Sequence, residues 1–474
     1  MLSLPIIVLF TVLAIVLLDG NWRDGLLVTV AIGFLQDPIR KITPNQPSTL
    51  SGMVLLAFLL CLLVMYERSG GNFRLRQMFW TAPAALDWIP VYFGLIAIQA
   101  VNSYFRFGDL QLTGLGLAFY IAPAVALWAG FQAGNNPKLL QKLITTYLVF
   151  CFLFSITAFL DFRGLRGPLM REVGEGIMIT FEGFSALGVS GFWRTSEIAG
   201  WHLAAGCCLA ITLAFSRSRR ESQIFLLLLA GFFAYLTIPT GRRKSLVMTL
   251  AFSAVYLLLF SRKATPASRE RVISSLLGST AMAYAGYALF LISAKGDAFN
   301  IYLNRVLTAK DDIFERFQGQ GIGALQRGLE ISQGFGLGVG AGANLGNIQI
   351  SSAAQAQRGS IQSLSYASEG GGGRIVSELG LPGLVIGGGM ALMFFLSLWK
   401  NFLILERLPN NVAFLLLGLL SFGLANIFFF FSAGQVYSDP FVLIIMGICF
   451  GAFLAVPSLI ARHQLETARV AASR

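Results

Sequence analysis

Charge is what this sequence has least of. Only 12% of its 474 residues are Asp, Glu, Lys or Arg, while 55% are apolar, and a soluble globular domain carries about 25% charged residues. That deficit excludes a water-soluble enzyme, and so much apolar material excludes a disordered chain, which needs low hydrophobicity to stay unfolded. Histidine is nearly missing, at two residues, and cysteine stops at five. Cys61, Cys151, Cys207, Cys208 and Cys449 all lie in apolar runs without CxxC spacing or a histidine at ligand spacing. They read as small hydrophobes between helices, not as disulfides or a zinc site. The first apolar stretch, Leu4 to Leu18, has neither a basic leader nor a small-residue cleavage signal, so it reads as a retained membrane segment.

Long apolar runs are what the chain does have. They fall near 4–18, 50–66, 88–104, 111–131, 139–160, 197–215, 224–240, 246–260, 272–293, 375–398, 412–432 and 441–461. About 20 apolar residues span the hydrocarbon of a bilayer, which makes twelve spans, or thirteen if the short run 25–35 crosses as a tilted helix instead of stopping at a turn at Asp37-Pro38. The expected fold is an all-α polytopic membrane protein with 12 to 13 transmembrane helices and one large periplasmic loop carrying short helices. Its parts are N-terminal transmembrane helices over 1–293, the loop over 294–374, C-terminal transmembrane helices over 375–461 and a cytoplasmic tail over 462–474.

The net charge of +12 is scattered through short connections. It therefore gives no nucleic-acid footprint and serves instead as orientation information, because cytoplasmic loops collect Lys and Arg. Lys138 with Lys142, then Arg217, Arg219 and Arg220, then Arg262, Lys263, Arg269 and Arg271 fall on every other connection. Lys400 with Arg407, and the tail with Arg462, Arg469 and Arg474, continue the series. If these are cytoplasmic, two polar stretches lie outside: Asp161 to Ser196, and Ala294 to Arg374. The first half of the longer one has apolar residues at helical spacing, around Phe299 to Gln318 and Ile322 to Gln333, so short helices over the membrane face are expected. The part from Gly334 to Gly373, rich in Gly, Ser, Gln and Ala, is expected to be mobile.

One connection breaks the charge rule. Gly241-Arg242-Arg243-Lys244-Ser245 joins two spans on the outer side, where three cations have no topological reason to be. It is either a solvated tight turn or an anion site, since a guanidinium fork matches phosphate oxygens bidentately. A second candidate is Arg194 with Glu197 and His202 at the start of the next span. Helical spacing would place a cation, a carboxylate and an imidazole on one wall of a cavity; the plainer readings are an Arg194–Glu197 lock and a core histidine. Glu369 precedes Gly370 to Gly373 and Arg374. It is either a general base on a glycine hinge or an incidental carboxylate in a linker. Gly334, Gly336, Gly338, Gly340 and Gly342 alternate with larger residues. No Gly-Lys-Ser ending follows, so a nucleotide loop is rejected in favour of close backbone packing or room for a bulky sugar. The Gln36 to Lys41 segment reads as a helix break flanked by headgroup-binding cations.

Arg194, Thr240-Gly241-Arg242-Arg243, Gly336-Leu337-Gly338-Val339-Gly340 and Glu378-Leu379-Gly380-Leu381-Pro382-Gly383, in that order, resemble the O-antigen ligase and O-antigen polymerase superfamily of membrane glycosyltransferases. The resemblance covers about the second half of the chain. It implies a multi-pass protein of the bacterial inner membrane that transfers glycans metal-independently, with inversion and without a cofactor, outside the cytoplasm. Its partners would be a polyprenyl-pyrophosphate glycan donor, a glycan acceptor, the lipid bilayer and other polysaccharide assembly proteins, with no nucleic acid. Arg194, Arg242, Arg243, Lys244 and His202, with Arg316, Arg327 and Arg374, would hold the pyrophosphate or glycan. The family's loop histidine falls on Glu369 here, so Glu369 would be the catalytic base. Without that histidine, a polymerase of exopolysaccharide or O-antigen repeat units is expected in preference to a ligase. A polysaccharide or lipid transporter is the alternative of another class, though about 80 residues gathered in one loop fit it poorly.

Overall fold

A computed structural model of the protein describes residues 3–173, 178–181, 184–263, 317–343, 350–432 and 434–472. The expected span at 272–293 and the loop residue Arg316 lie outside them. The described chain is predominantly helical. It opens with α1 (Ser3–Leu18), α2 (Trp22–Ile42), α3 (Met53–Arg68), the short α4 (Leu75–Met78), α5 (Ala85–Phe107), α6 (Leu110–Gly134) and α7 (Pro137–Phe162). A connection with a small antiparallel hairpin, β1 (Met178–Phe181) and β2 (Phe184–Leu187), leads to α8 (Ser196–Ser216), α9 (Arg220–Thr237) and α10 (Arg243–Lys263). Then come α11 (Ala324–Ser332), α12 (Ser352–Ser360), α13 (Leu364–Ala367), α14 (Gly371–Ile404), α15 (Asn410–Ser432), α16 (Pro440–Leu454) and α17 (Val456–Ala472).

Among the described residues, nine helices are long and apolar enough to cross a membrane, or ten if α16 and α17, bent by 45°, form one broken span. The protein is thus a multi-pass membrane protein of helical class. The expected run 4–18 forms only the 16 residues of α1. The expected turn at Asp37-Pro38 is absent: α2 continues through Pro38 to Ile42. Proline there removes one helical hydrogen bond, but the helix carries Asp37 and Lys41 to buried partners described below.

Contacts divide the chain into two units that interleave in sequence: residues 1–70, 137–311 and 409–425, and residues 71–136, 312–408 and 426–474. In the first unit α8 is the central helix, with nearly every residue buried. Its small residues let neighbours approach closely. A Cβ on Gly206 would lie 2.8 Å from Cys151 Sγ, and one on Gly200 would lie 2.9 Å from Ser245 Oγ. The start of α10 is thereby held against the start of α8. Helix α2 runs beside α7 in the same direction. Asp24 pairs with Lys142 at 2.7 Å at one end, and Lys41 reaches the carbonyl of Gly191, beyond the end of α7, at 2.8 Å at the other.

The second unit is held by glycine. Gly130, Gly134, Gly447 and Gly451 bring α6 and α16 into backbone contact. The segment from Gly334 to Ala343, expected to be mobile, is instead packed against α5, α6 and α14, with Leu337, Val339 and Ala341 buried. Gly336, Gly338 and Gly340 all have positive φ, and each backbone lies so close to a helix that no side chain fits. Its amides are satisfied across the gap: Leu337 N donates to Ser377 O at 2.8 Å and Gly338 N to Glu378 O at 3.0 Å. Helix α14 breaks where this segment meets it, at Gly380 (φ 69°, ψ −162°).

A methyl group at Gly338 would stand 2.5 Å from the Ser103 backbone at a φ that L-residues resist. Gly338→Ala is therefore expected to cost about 2 kcal/mol or more. Gly359→Ala, on exposed helix α12 with nothing within 4 Å, should be neutral or stabilise by up to about 1 kcal/mol. Unfolding of the two purified variants compared with the parent decides it: equal stabilities would contradict the packing argument.

Candidate functional site

At one end of the first unit, the connection before α8 is tied down from three sides. Asp161, at the end of α7, accepts the amides of Ser190 at 3.1 Å and Gly191 at 3.2 Å and pairs with Arg166. Lys41, from α2, donates to the carbonyls of Gly191 and Trp193. Asp37, one turn earlier, accepts the Arg194 amide at 3.1 Å, with the Arg194 guanidinium at 3.8 Å. Thr195 then caps α8 by accepting from Ile198 N. Because the helix starts only at Ser196, Arg194 lies outside it, and the helical spacing expected of 194 and 197 does not apply. Among the described residues its acidic partner is Asp37, not Glu197.

The second cation group arrives from the other side. Gly241, at φ 67°, closes the turn Ile238–Thr240 and starts the chain toward α10. The turn forms as the sequence suggests, but Arg243 and Lys244 already belong to the helix. Arg242 Nε and Nη2 donate to Ser196 Oγ at 3.2 and 3.0 Å, and the Ser196 amide donates to Glu172 Oε1 at 2.9 Å. Ser196 thus links the second cation group to Glu172. Burial pushes the Glu172 carboxyl up to about 7, outweighing the Ser196 bond and the charges of Arg242 and Lys41.

Arg194 thus lies just before α8, Arg242 bonds its first residue, and Arg243 and Lys244 open α10. His202 sits apart, in the core. Its Nδ1 is 2.7 Å from Tyr147 Oη, and Phe34, Trp193 and Trp201 surround the ring. That is the core histidine of the plainer reading. Sequence reasoning missed Asp37, Arg40, Lys41 and Glu172. The first three were legible as a charged run ending an apolar one, but they are buried to 3%, 6% and 8% exposure and do not face lipid headgroups.

The second unit holds the remaining candidates. Half-buried Glu369 accepts from Gln320 Nε2 at 3.2 Å. The glycines after it form no hinge. Gly371 to Gly373 open α14, buried, where side chains would strike Phe430, Phe431 and the carbonyls of Ala367 and Ala324. Arg374 is 2% exposed. Its Nε bonds Glu378 at 3.0 Å, its Nη1 donates to Ser438 at 2.9 Å, and its guanidinium lies 3.8 Å from the Phe119 ring centre. Glu378 also accepts Gly342 N at 2.9 Å, which joins the glycine segment to α14. Arg327 pairs with Glu330 on exposed α11 and reaches Ser363 at 3.2 Å.

Among the described residues, no group of three or more His, Cys, Asp or Glu side chains is placed to hold a metal ion. No protein-family model matches the chain, and no curated protein is similar to it.

Removing one partner of a buried ion pair leaves an uncompensated charge. Glu378→Ala is expected to cost about 3 kcal/mol or more through the stranded Arg374, whereas Glu369→Gln should stay within about 1 kcal/mol. Denaturation midpoints of the two variants test this, and a mild Glu378→Ala phenotype would show that the pair does not hold the unit.

Proposed function

We propose that this protein is a polymerase-type glycosyltransferase that joins polyprenyl-pyrophosphate-linked repeat units of an exopolysaccharide or O-antigen at the periplasmic face of a bacterial inner membrane. The observation that carries this reading is that Arg194 lies just before α8 and Arg242 bonds the Ser196 hydroxyl at its start, with Arg243 and Lys244 opening α10. A donor anchored by a polyprenyl chain diffuses in the plane of the bilayer, and its charged diphosphate rides at the headgroup level. Cations fixed at the ends of apolar helices meet it at that depth. Their attraction is stronger there than in open water, because the local dielectric is low.

The chemistry follows from charge. An acceptor hydroxyl attacks the anomeric carbon from the face opposite the diphosphate, the carbon–oxygen bond to the diphosphate breaks, and negative charge builds on the departing oxygens. Guanidinium groups already held by Asp37 and Ser196 stabilise that charge without having to reorganise. The acceptor hydroxyl gives up its proton to a base, a role open to a carboxylate in place of an imidazole.

Arg194→Ala, Arg242→Ala and Arg243→Ala are each expected to abolish polymer while leaving the protein level intact. A deletion strain should accumulate one lipid-linked repeat unit. Accumulation of full-length lipid-linked polymer would mean a ligase, and normal polymer in the three variants would remove the clamp. Turnover of a lipid-pyrophosphate glycan by purified protein in detergent separates transfer from transport, since transport needs two compartments. A cytoplasmic location of residues 241–245 by cysteine labelling would overturn the assignment outright.

A further inference from the structure

The proposed diphosphate site already contains an anion of its own. Glu172, in the connection between α7 and α8, accepts the amide of Ser196 at 2.9 Å through Oε1. That amide belongs to the first turn of a 21-residue helix, a position where backbone N–H groups and the helix dipole favour negative charge. The hydroxyl of the same Ser196 is held by Arg242, and the charges of Arg242 and Lys41 both act on the carboxyl. Its second oxygen, Oε2, is buried and accepts no hydrogen bond from any described residue. A carboxylate so placed occupies the ground that a phosphate oxygen would take.

Resting on the diphosphate reading above, we infer that Glu172 is a built-in competitor for the donor, and that binding of a diphosphate is coupled to uptake of a proton by its carboxyl. Two anions cannot draw on the same cations at close range without strong repulsion. With Glu172 ionised, Arg242 and Lys41 are partly neutralised from within. With Glu172 protonated, the carboxyl becomes a neutral hydrogen-bonding group and its charge no longer offsets those of Arg242 and Lys41.

The surrounding charges fix the sign. From α2 come Asp37 and Lys41, from the end of α7 Asp161, from the connection itself Arg194, and from the turn before α10 Arg242. Asp37 and Asp161 act on Lys41 and dilute its pull on Glu172. Burial then raises the Glu172 carboxyl to about 7, where it changes charge near neutrality. Below that pH the free protein is already protonated there and affinity should be flat. Above it, each binding event must take up a proton, so affinity falls by up to about tenfold per pH unit.

The test uses the full-length protein in detergent and a soluble P1,P2-dialkyl diphosphate, whose own oxygens do not titrate near neutrality. Affinity is measured by calorimetry from about pH 6 to about pH 9. The parent should lose affinity above about 7, whereas Glu172→Gln should bind with little pH dependence, close to the parent's low-pH value. The same slope in both overturns the inference while leaving the arginine clamp intact. No binding by the parent at any pH overturns the clamp and the inference together. Should Glu172→Gln fail to fold, binding heats of the parent in two buffers of different ionisation enthalpy decide instead. Uptake of about one proton per diphosphate near pH 8 is expected, and uptake of none overturns the inference.

Discussion

Lys41 donates to two backbone carbonyls of the connection before α8, and most of the first unit's polar end depends on that contact. A lysine taken out of water must replace its hydration with oriented oxygens, or the burial costs several kcal/mol. The carbonyls of Gly191 and Trp193 face it only because Asp161 grips the amides of Ser190 and Gly191, Thr157 Oγ1 accepts the amide of Phe192 and Asp37 accepts that of Arg194. An irregular segment is acceptable at such a depth only when its backbone groups are satisfied by protein. The charged residues at the end of α2 are thus a scaffold before they are anything else, and the position of Arg194 follows from them.

The second unit meets the same requirement partly by different means. Its irregular segment, Gly334 to Ala343, is also held by side chains: Gln99 and Asn102 donate to the carbonyls of Phe335 and Gly336, and Arg358 donates to those of Ala341 and Ala343. Here, however, backbone also bonds backbone directly, because glycine permits the approach. The carbonyls of Ser377 and Glu378 accept from that segment, and Gly334 O accepts from Leu381 N beyond the break at Gly380. A broken helix and an extended segment each leave amides and carbonyls without helical partners, and here they satisfy one another. The Arg374–Glu378 pair closes the arrangement: a carboxylate shared between a guanidinium and the Gly342 amide ties the extended segment to the helix just before the helix breaks.

Much of this was legible in the sequence, and the reasons it was or was not are physical. Spans such as 139–160 and 197–215 appear as α7 and α8 with a few residues added, since continuous apolarity is a one-dimensional signal that needs no partner to be read. Alternating glycine from 334 to 342 correctly signalled close backbone packing, but composition alone made the same stretch look mobile. The two readings are separated by what lies opposite each glycine, which only the fold supplies. Arg242 stood out because three cations broke the charge rule at its turn, and Arg194 because it stood with Glu197 and His202 at the start of a span. Glu172 did not, because an isolated carboxylate in a polar connection has no pattern. Its significance comes from Ser196, 24 residues away, and from the guanidinium bonded to the same serine. The error over Asp37-Pro38 has a similar origin: proline argues for a break, and only burial of the flanking charges shows why the helix continues.

These contacts also explain how a cation cluster can exist at the end of an apolar bundle at all. Arg194, Arg242 and Lys41 brought together without counter-charge would repel one another and destabilise the fold in every state lacking a ligand. The chain supplies Asp37, Asp161 and Glu172 to hold them, but these three carboxylates are not equivalent. Asp161 accepts two backbone amides and pairs with Arg166, so removing its charge would undo the connection itself, and Asp37 accepts one amide beside the Arg194 guanidinium. Glu172 has one amide bond and a buried oxygen that accepts no hydrogen bond from the described residues. Of the three, Asp161 is bound most firmly to backbone, and Glu172 is the one proposed above to give up its charge. On the diphosphate reading proposed above, a site that is stable when empty and attractive to an anion when filled needs one such group, and Glu172 at the start of α8 is placed to be it.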